Sequence, residues 1–255
     1  MVPEALPVVT TVSLSKGALQ LAQQNVVVKR LTAIEDIGSI EILCSDKTGT
    51  LTKNTLSVTG LSPGADPRLL SYALLAVAET KEKTEPFDIA IVEGAERFPR
   101  VEIGISERLG ELPFDPHTRK NAVLVRSASE IVMVVRGAPE EILRVSPSFQ
   151  GQEREALTSW LSEKGRAGER TIAIAKRGMP PGTTGFTPAD IQDLEFLGAI
   201  AFTDPIKPST FHAVEMAREL GVAIKIITGD SAEVAGAVGM EIGLIRDPGM
   251  VITGA

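Results

Sequence analysis

From about residue 196 to residue 255 the chain alternates strand and helix, and this alternation restricts the possible folds more than any other feature. Residues 197–202 read as a strand and residues 209–220 as a helix opened by Pro208 and stopped by Gly221. Residues 222–227 form a second apolar stretch broken only by Lys225, and residues 232–242 a further helix ended by Gly243. A β-α-β-α order needs crossover connections, and these build a parallel sheet. Far upstream, Ile40-Glu41-Ile42-Leu43-Cys44-Ser45-Asp46 reads as a buried strand that stops at a carboxylate. It fits the same sheet, so the long stretch between is expected to be an insertion.

The insertion has a different texture. It opens on the turn-rich Ser62-Pro63-Gly64-Ala65-Asp66-Pro67 and leaves through a loop around Pro180-Pro181-Gly182. Helices are expected around residues 69–77, 87–96 and 153–163, and strands at 101–105, 122–126, 131–136 and 171–176. That order suggests an α+β module, mostly antiparallel. Before the first parallel strand, a helix is expected at 12–24, a short strand at Val26-Val27-Val28, and a short helix at 32–37 capped by Gly38. The expected division is 1–25, 26–58, 59–195 and 196–255.

Composition narrows the function. The chain has 255 residues with 43% apolar and 23% charged side chains, an ordinary globular mix for one to two domains. A net charge of −7 argues against a nucleic-acid partner. A single cysteine, Cys44, excludes an internal disulfide and a Cys-rich zinc site, and His117 and His212 have no evident site role. The uncharged stretch 5–15 is about half of the roughly 20 residues a spanning helix needs, and no basic region precedes it as in a secretory signal.

The decisive string is Cys44-Ser45-Asp46-Lys47-Thr48-Gly49-Thr50-Leu51-Thr52. An aspartate that ends a strand of a parallel sheet stands at the edge where such folds place their sites. Its carboxylate can act as a nucleophile and form an acyl-phosphate. Lys47 supplies positive charge, Thr48 and Thr50 supply hydroxyls, and Gly49 lets the backbone approach a phosphate. On these residues alone, a strand followed by an ordinary polar turn is an equal reading.

The string resembles the phosphorylation motif of the P-type ATPases, and further segments are similar to motifs of that family in the family's order. Leu112-Pro113-Phe114-Asp115-Pro116 with Arg119-Lys120 resembles the adenine-site segment. Arg136-Gly137-Ala138-Pro139-Glu140 resembles the KGAPE motif, with arginine in place of lysine. Thr203-Asp204-Pro205-Ile206-Lys207 is similar to the hinge motif and Thr228-Gly229-Asp230 to the TGD motif. Pro3-Glu4-Ala5-Leu6-Pro7 resembles the proline-kinked ion-binding segment of the fourth transmembrane helix, and residues 16–31 its stalk.

The resemblance implies a haloacid-dehalogenase-like, Rossmann-type parallel sheet, incomplete in this chain, interrupted by a nucleotide-binding α+β domain. Residues 1–25 would end the fourth transmembrane helix and its stalk. Residues 26–58 and 196–255 would form the phosphorylation domain, and 59–195 the nucleotide-binding domain. The implied reaction is in-line transfer of the ATP γ-phosphoryl group to Asp46, with Mg2+ held by the Asp46 carboxylate and the Thr48 carbonyl. Lys47, Thr228, Gly229 and Asp230 would complete the phosphoryl site. Phe114, Arg136, Gly137, Arg170 and Glu85 would hold the nucleotide. Without its surroundings Phe114 would read as a core residue and Arg170 as a surface charge, and an N-terminal cap accounts for Asp88 beside Glu85 as well.

Departures from the family pattern also carry expectations. The GDGxND segment and the phosphate-site lysine do not occur before Ala255, so the chain is expected to be a headpiece fragment, poorly active alone. Its implied partners are ATP, a transported cation, an actuator domain and further transmembrane helices, at a cell membrane with this segment on the cytoplasmic side. Glu4 between prolines, and no Cys-Pro-Cys motif, favour a hard cation such as magnesium, a proton or calcium. Two other classes compete: a soluble phosphatase of the same superfamily, and a nucleotide-binding module without turnover. The phosphatase normally carries Asp-x-Asp, and Thr48 occupies that second position here.

Overall fold

The computed structural model describes residues 6–77, 85–98, 103–127 and 130–254. Helix α1 (Leu6–Gln23) and the short α2 (Thr32–Gly38) lead into strand β1 (Ile42–Asp46). After the tight turn Lys47–Leu51 come β2 (Ser57–Leu61), α3 (Leu69–Leu75) and α4 (Pro86–Arg97). Then follow β3 (Ile105–Asp115), β4 (Lys120–Ser127), β5 (Ile131–Gly137), α5 (Pro139–Arg144), α6 (Gln152–Arg166), β6 (Arg170–Met179) and β7 (Glu195–Thr203). Helix α7 (Pro208–Glu219), β8 (Ala223–Ile227) and α8 (Ala232–Glu241) complete the order.

These strands form two sheets. β1 and β8 pair in parallel, with Asp46 beside Ile227, so Asp46 and the Thr228 turn share one edge. The other six strands form an antiparallel sheet in the order β2-β7-β6-β5-β4-β3. Period-two alternation sorts its residues between two faces. Val123, Val125, Val132, Val134, Ile172, Ile174, Ile200 and Phe202 pack under α3 and α4 through Leu69, Leu70, Ala73, Ala90 and Ile91. Ala122, Leu124, Met133, Val135, Ala173, Ala175 and Ala199 face Ile142 of α5 and Leu157 of α6. Burying each large side chain of this kind is worth roughly 1.5–3 kcal/mol. A smaller cluster of Leu51, Val214, Val238 and Ile242 holds α7 and α8 on the parallel pair.

Several expectations need correction. Residues 197–202 do form a strand, but it belongs to the antiparallel sheet, between β2 and β6. Val26-Val27-Val28 forms no strand among the described residues, and Val26 and Val27 are exposed. The β-branched run has strand propensity, but no neighbouring strand offers it a ladder. Helix α2 runs through Gly38 and is capped at Ser39. Of the strand expected at 101–105, residues 101 and 102 lie outside the described set, and β3 starts at Ile105. Glu4 and its flanking Pro3 and Ala5 also lie outside it. Among the described residues, no helix is long and apolar enough to cross a membrane.

Candidate active site

The turn after β1 is built for close approach. Gly49 sits at φ +75°, a region favourable to glycine. The backbone N–H of Gly49 donates to Thr52 Oγ1 at 3.2 Å, and that hydroxyl donates to Asp204 Oδ2 at 2.7 Å. Thr52 and Asp204 are both buried. The segment after β7 clamps the same turn from outside: Lys207 Nζ donates to the Gly49 carbonyl, and Thr210 Oγ1 donates to the Leu51 carbonyl at 2.7 Å. Thus the carboxyl end of β1 is fixed by residues more than a hundred positions away in sequence.

At this edge Asp46 is exposed, and its carboxylate accepts no hydrogen bond among the described residues. The Lys47 side chain, only 1% exposed, turns inward onto Asp230 Oδ2. The Asp230 side chain is 6% exposed and also takes Arg170 Nε on Oδ1 at 3.0 Å. Its backbone N–H donates to Thr228 Oγ1 at 3.2 Å, which leaves the threonine hydroxyl proton free to donate elsewhere. Gly229 is exposed, with nothing within 4 Å of where a Cβ would stand. The structure therefore gathers Asp46, Lys47, Thr228, Gly229, Asp230 and Arg170. Thr48 lies in the turn with extended backbone (φ −74°, ψ 124°).

The residues expected around adenine fall on the antiparallel sheet. Arg136 at the end of β5 donates from Nη1 to Asp88 Oδ1 at 2.5 Å and from Nε to Asn121 Oδ1 at 3.1 Å. Asn121 is its cross-strand partner on β4. Asn121 Nδ2 donates in turn to the Ala76 carbonyl at 3.0 Å. Gly137 is a tight spot: a Cβ there would lie 2.5 Å from the Arg119 carbonyl oxygen. Its missing side chain makes room for the chain's own β3–β4 turn, in which Arg119 takes a left-handed φ of 49°. Asp115 shapes that turn. Hydrogen bonds from the His117 N–H and the Thr118 hydroxyl hold its carboxyl below the ordinary value of 3.8. Phe114 is 59% exposed near the end of β3. Glu85 is exposed at the N-cap of α4, without a side-chain cap hydrogen bond.

The first turn of α4 joins the two clusters. Asp88 holds Arg136, while the Phe87 ring lies under the Arg170 guanidinium, 4.7 Å from its centroid, and stacks edge-on against Phe202. Sequence reasoning missed Asn121, Phe87 and the Thr52–Asp204 bond. The signal for the first was alternation: Asn121 lies two and four residues before the apolar Val123 and Val125, so it shares their face. Among the described residues no group of three or more His, Cys, Asp or Glu side chains could hold a metal. The free Asp46 carboxylate and the Thr48 carbonyl still suit Mg2+, which proteins bind through one or two carboxylates together with substrate phosphates.

Comparison with known proteins matches residues 76–209 to the family described as P-type ATPase, cytoplasmic domain N. The chain is 35% identical over 269 residues to the magnesium-transporting ATPase, P-type 1 of Escherichia coli, covering 100% of this chain and 30% of that protein. It is 34% identical over 253 residues to the plasma membrane ATPase of Kluyveromyces lactis, covering 95% of this chain and 27% of that protein. A similar plasma membrane ATPase of Saccharomyces cerevisiae is 33% identical over 256 residues. The chain thus spans about three-tenths of the length of such relatives. With the family match extending over more than half of its length, this chain belongs to the P-type ATPases.

Proposed function

We propose that this chain carries the nucleotide-binding and phosphoryl-accepting parts of an ATP-driven cation transporter that works through an aspartyl-phosphate at Asp46. One observation carries the reading: a free carboxylate at the end of β1 stands at the same sheet edge as the cations Lys47 and Arg170 and the Thr228 hydroxyl. In the reaction, an Asp46 carboxylate oxygen forms a bond to the γ-phosphorus as the bond to the β,γ-bridging oxygen breaks, and ADP leaves with that electron pair. Lys47 and Arg170 neutralise charge on the phosphoryl oxygens, Thr228 donates a hydrogen bond to them, and Gly229 leaves room for them. Asp230 orients both cations. Bound at Asp46 and the Thr48 carbonyl, Mg2+ would supply charge neutralisation to the phosphates.

In this reading the nucleotide base lies against Phe114, with Arg136, Gly137 and Glu85 around it. Residues 59–195 are the nucleotide-binding part, and 26–58 with 196–255 the phosphorylation part, a haloacid-dehalogenase-like unit. The transporter works at a cell membrane with this chain on the cytoplasmic side. Its cargo is a hard cation such as magnesium, a proton or calcium, in keeping with Glu4, and the name of the Escherichia coli relative supports magnesium; its other partners are an actuator domain and transmembrane helices.

Two measurements test the proposal. In the transporter, labelled ATP with Mg2+ followed by an acid quench should leave acid-stable, hydroxylamine-labile label on the protein. Label surviving Asp46→Asn would remove Asp46 as the nucleophile. Titration of the chain with ATP, followed by chemical shifts, should show Phe114→Ala losing stacking worth roughly 1–3 kcal/mol. Unchanged affinity would leave Phe114 out of the site.

A further inference from the structure

Within the antiparallel sheet, the side chain of Asn121 is tied by both of its polar atoms. Oδ1 accepts from Arg136 Nε at 3.1 Å, and Nδ2 donates to the Ala76 carbonyl at 3.0 Å. A guanidinium cannot accept a hydrogen bond and a carbonyl cannot donate one, so these partners admit a single orientation of the amide. Alternation sets Asn121 two residues before Val123 and Arg136 two residues after Val134, on the face that α3 and α4 cover.

Arg136 is the residue that this frame holds. Asn121 grips it at Nε, and Asp88 in the first turn of α4 grips it at Nη1. Ala76 caps the C-terminal end of α3, so one helix holds the guanidinium through Asn121 and the other holds it directly. Arginine carries five donors in a rigid planar fork, whereas lysine is a point charge whose three donors rotate. Gripped at Nε and Nη1, the guanidinium cannot turn on its stem, and its other N–H donors keep one plane. Phe114 stands at the same level of the sheet. β3 pairs Leu112 with Ala122 and Asp115 with Lys120, with an irregularity between, so Phe114 flanks Asn121 from one side as Arg136 does from the other.

We infer that Asn121 is a positioning residue for nucleotide binding: it fixes the plane in which Arg136 offers its N–H donors beside Phe114. The inference rests on the reading of Phe114 and Arg136 as base-binding residues and adds to it a residue that acts only through Arg136. Asp88 supplies the opposite charge, and the neutral amide supplies direction. A lysine at position 136 would have no plane to fix, so the need for Asn121 comes with the arginine.

Two readouts on the full chain test the role. Without nucleotide, the Arg136 Nε–H resonance should be sharp and slow to exchange with water in the unaltered chain, and should exchange rapidly in Asn121→Leu. With ATP and no divalent cation, Asn121→Leu should weaken binding about three- to tenfold, the worth of one hydrogen bond. Made on an Arg136→Lys background, the same change should leave affinity within about twofold, because nothing planar remains to be held. Asn121→Ser takes the place of Asn121→Leu, with the same expectations, where the leucine variant does not fold. A loss of equal size in both backgrounds would assign Asn121 a general structural role and overturn the inference, as would an Nε–H signal that Asn121→Leu leaves unchanged. Failure of the underlying reading has a different signature: Phe114→Ala and Arg136→Ala would then bind ATP as the unaltered chain does, while the Nε–H signal still responded to Asn121→Leu.

Discussion

Removing Asp88 should destabilise the chain far more than its position at the start of a helix suggests. Its side chain is 3% exposed, that of Arg136 is 11% exposed, and they meet at 2.5 Å. With charge centres about 4 Å apart and an effective dielectric of about 20, their attraction is about 4 kcal/mol. Truncation to Asp88→Ala leaves the guanidinium, among the described residues, with the Asn121 Oδ1 acceptor on the sheet, an almost uncompensated buried charge. Such breaks cost about 3–5 kcal/mol, whereas replacing a buried pair by apolar groups of similar volume is often close to neutral. Urea unfolding of Asp88→Ala, Arg136→Met and the double variant measures the coupling. Asp88→Ala should cost at least about 3 kcal/mol, and the double variant should recover a large part of it. A loss below about 1 kcal/mol, or a double variant as unstable as the sum of the singles, would refute the assignment of the energy to this pair.

Three further outcomes are expected. Gly137→Ala places a Cβ 2.5 Å from the Arg119 carbonyl and should cost about 3 kcal/mol of overpacking in thermal unfolding, while an unchanged midpoint would mean that the turn yields freely. Thr52→Val removes the hydroxyl between the Gly49 N–H and the buried Asp204 and should cost about 1–3 kcal/mol, and Thr52→Ser should restore most of it. The Asp115 carboxyl should titrate below 3.8 in a carbon-detected pH series. Because its pKa is depressed on folding, the hold of Asp115 on the β3–β4 turn is present above the ordinary value and is lost as pH falls through the folded one, and a midpoint at or above 3.8 would contradict the hydrogen-bonded turn.

The parts legible from sequence were those fixed by local pattern. Residues 42–46 and 223–227 are strands bounded by turns, and they pair in parallel as expected, but 42–46, read as a buried strand, is largely exposed. The misplaced strand shows where pattern stops. Residues 197–202 of β7 are all buried, and a strand covered on both faces reads alike in a parallel and an antiparallel sheet. Helix α5, six residues long, is too short to show a helical period. The neighbour of Arg136 depended on register, since Asn121 meets it only through the β4–β5 pairing. Arg170 alternates with Ile172 and Ile174 and so shares their face, but its contact with Asp230 needed the packing of one unit against the other.

The pairing of β1 with β8 has a consequence for how the chain reaches this structure. Ile42 lies beside Ala223, so the parallel ladder closes over nearly the whole intervening sequence. Closing so long a loop from an unfolded chain carries a large entropic cost before any contact rewards it. The antiparallel strands β3 to β7 each neighbour the next in chain order, and β2 joins them against β7. Once that sheet has formed, the chain enters and leaves it on adjacent strands, and β1 is left only a short reach from the segment that becomes β8. Synthesis from the N-terminus therefore leaves β1 without a partner until the inserted sheet has folded and β8 has emerged, and the site at Asp46 is assembled last.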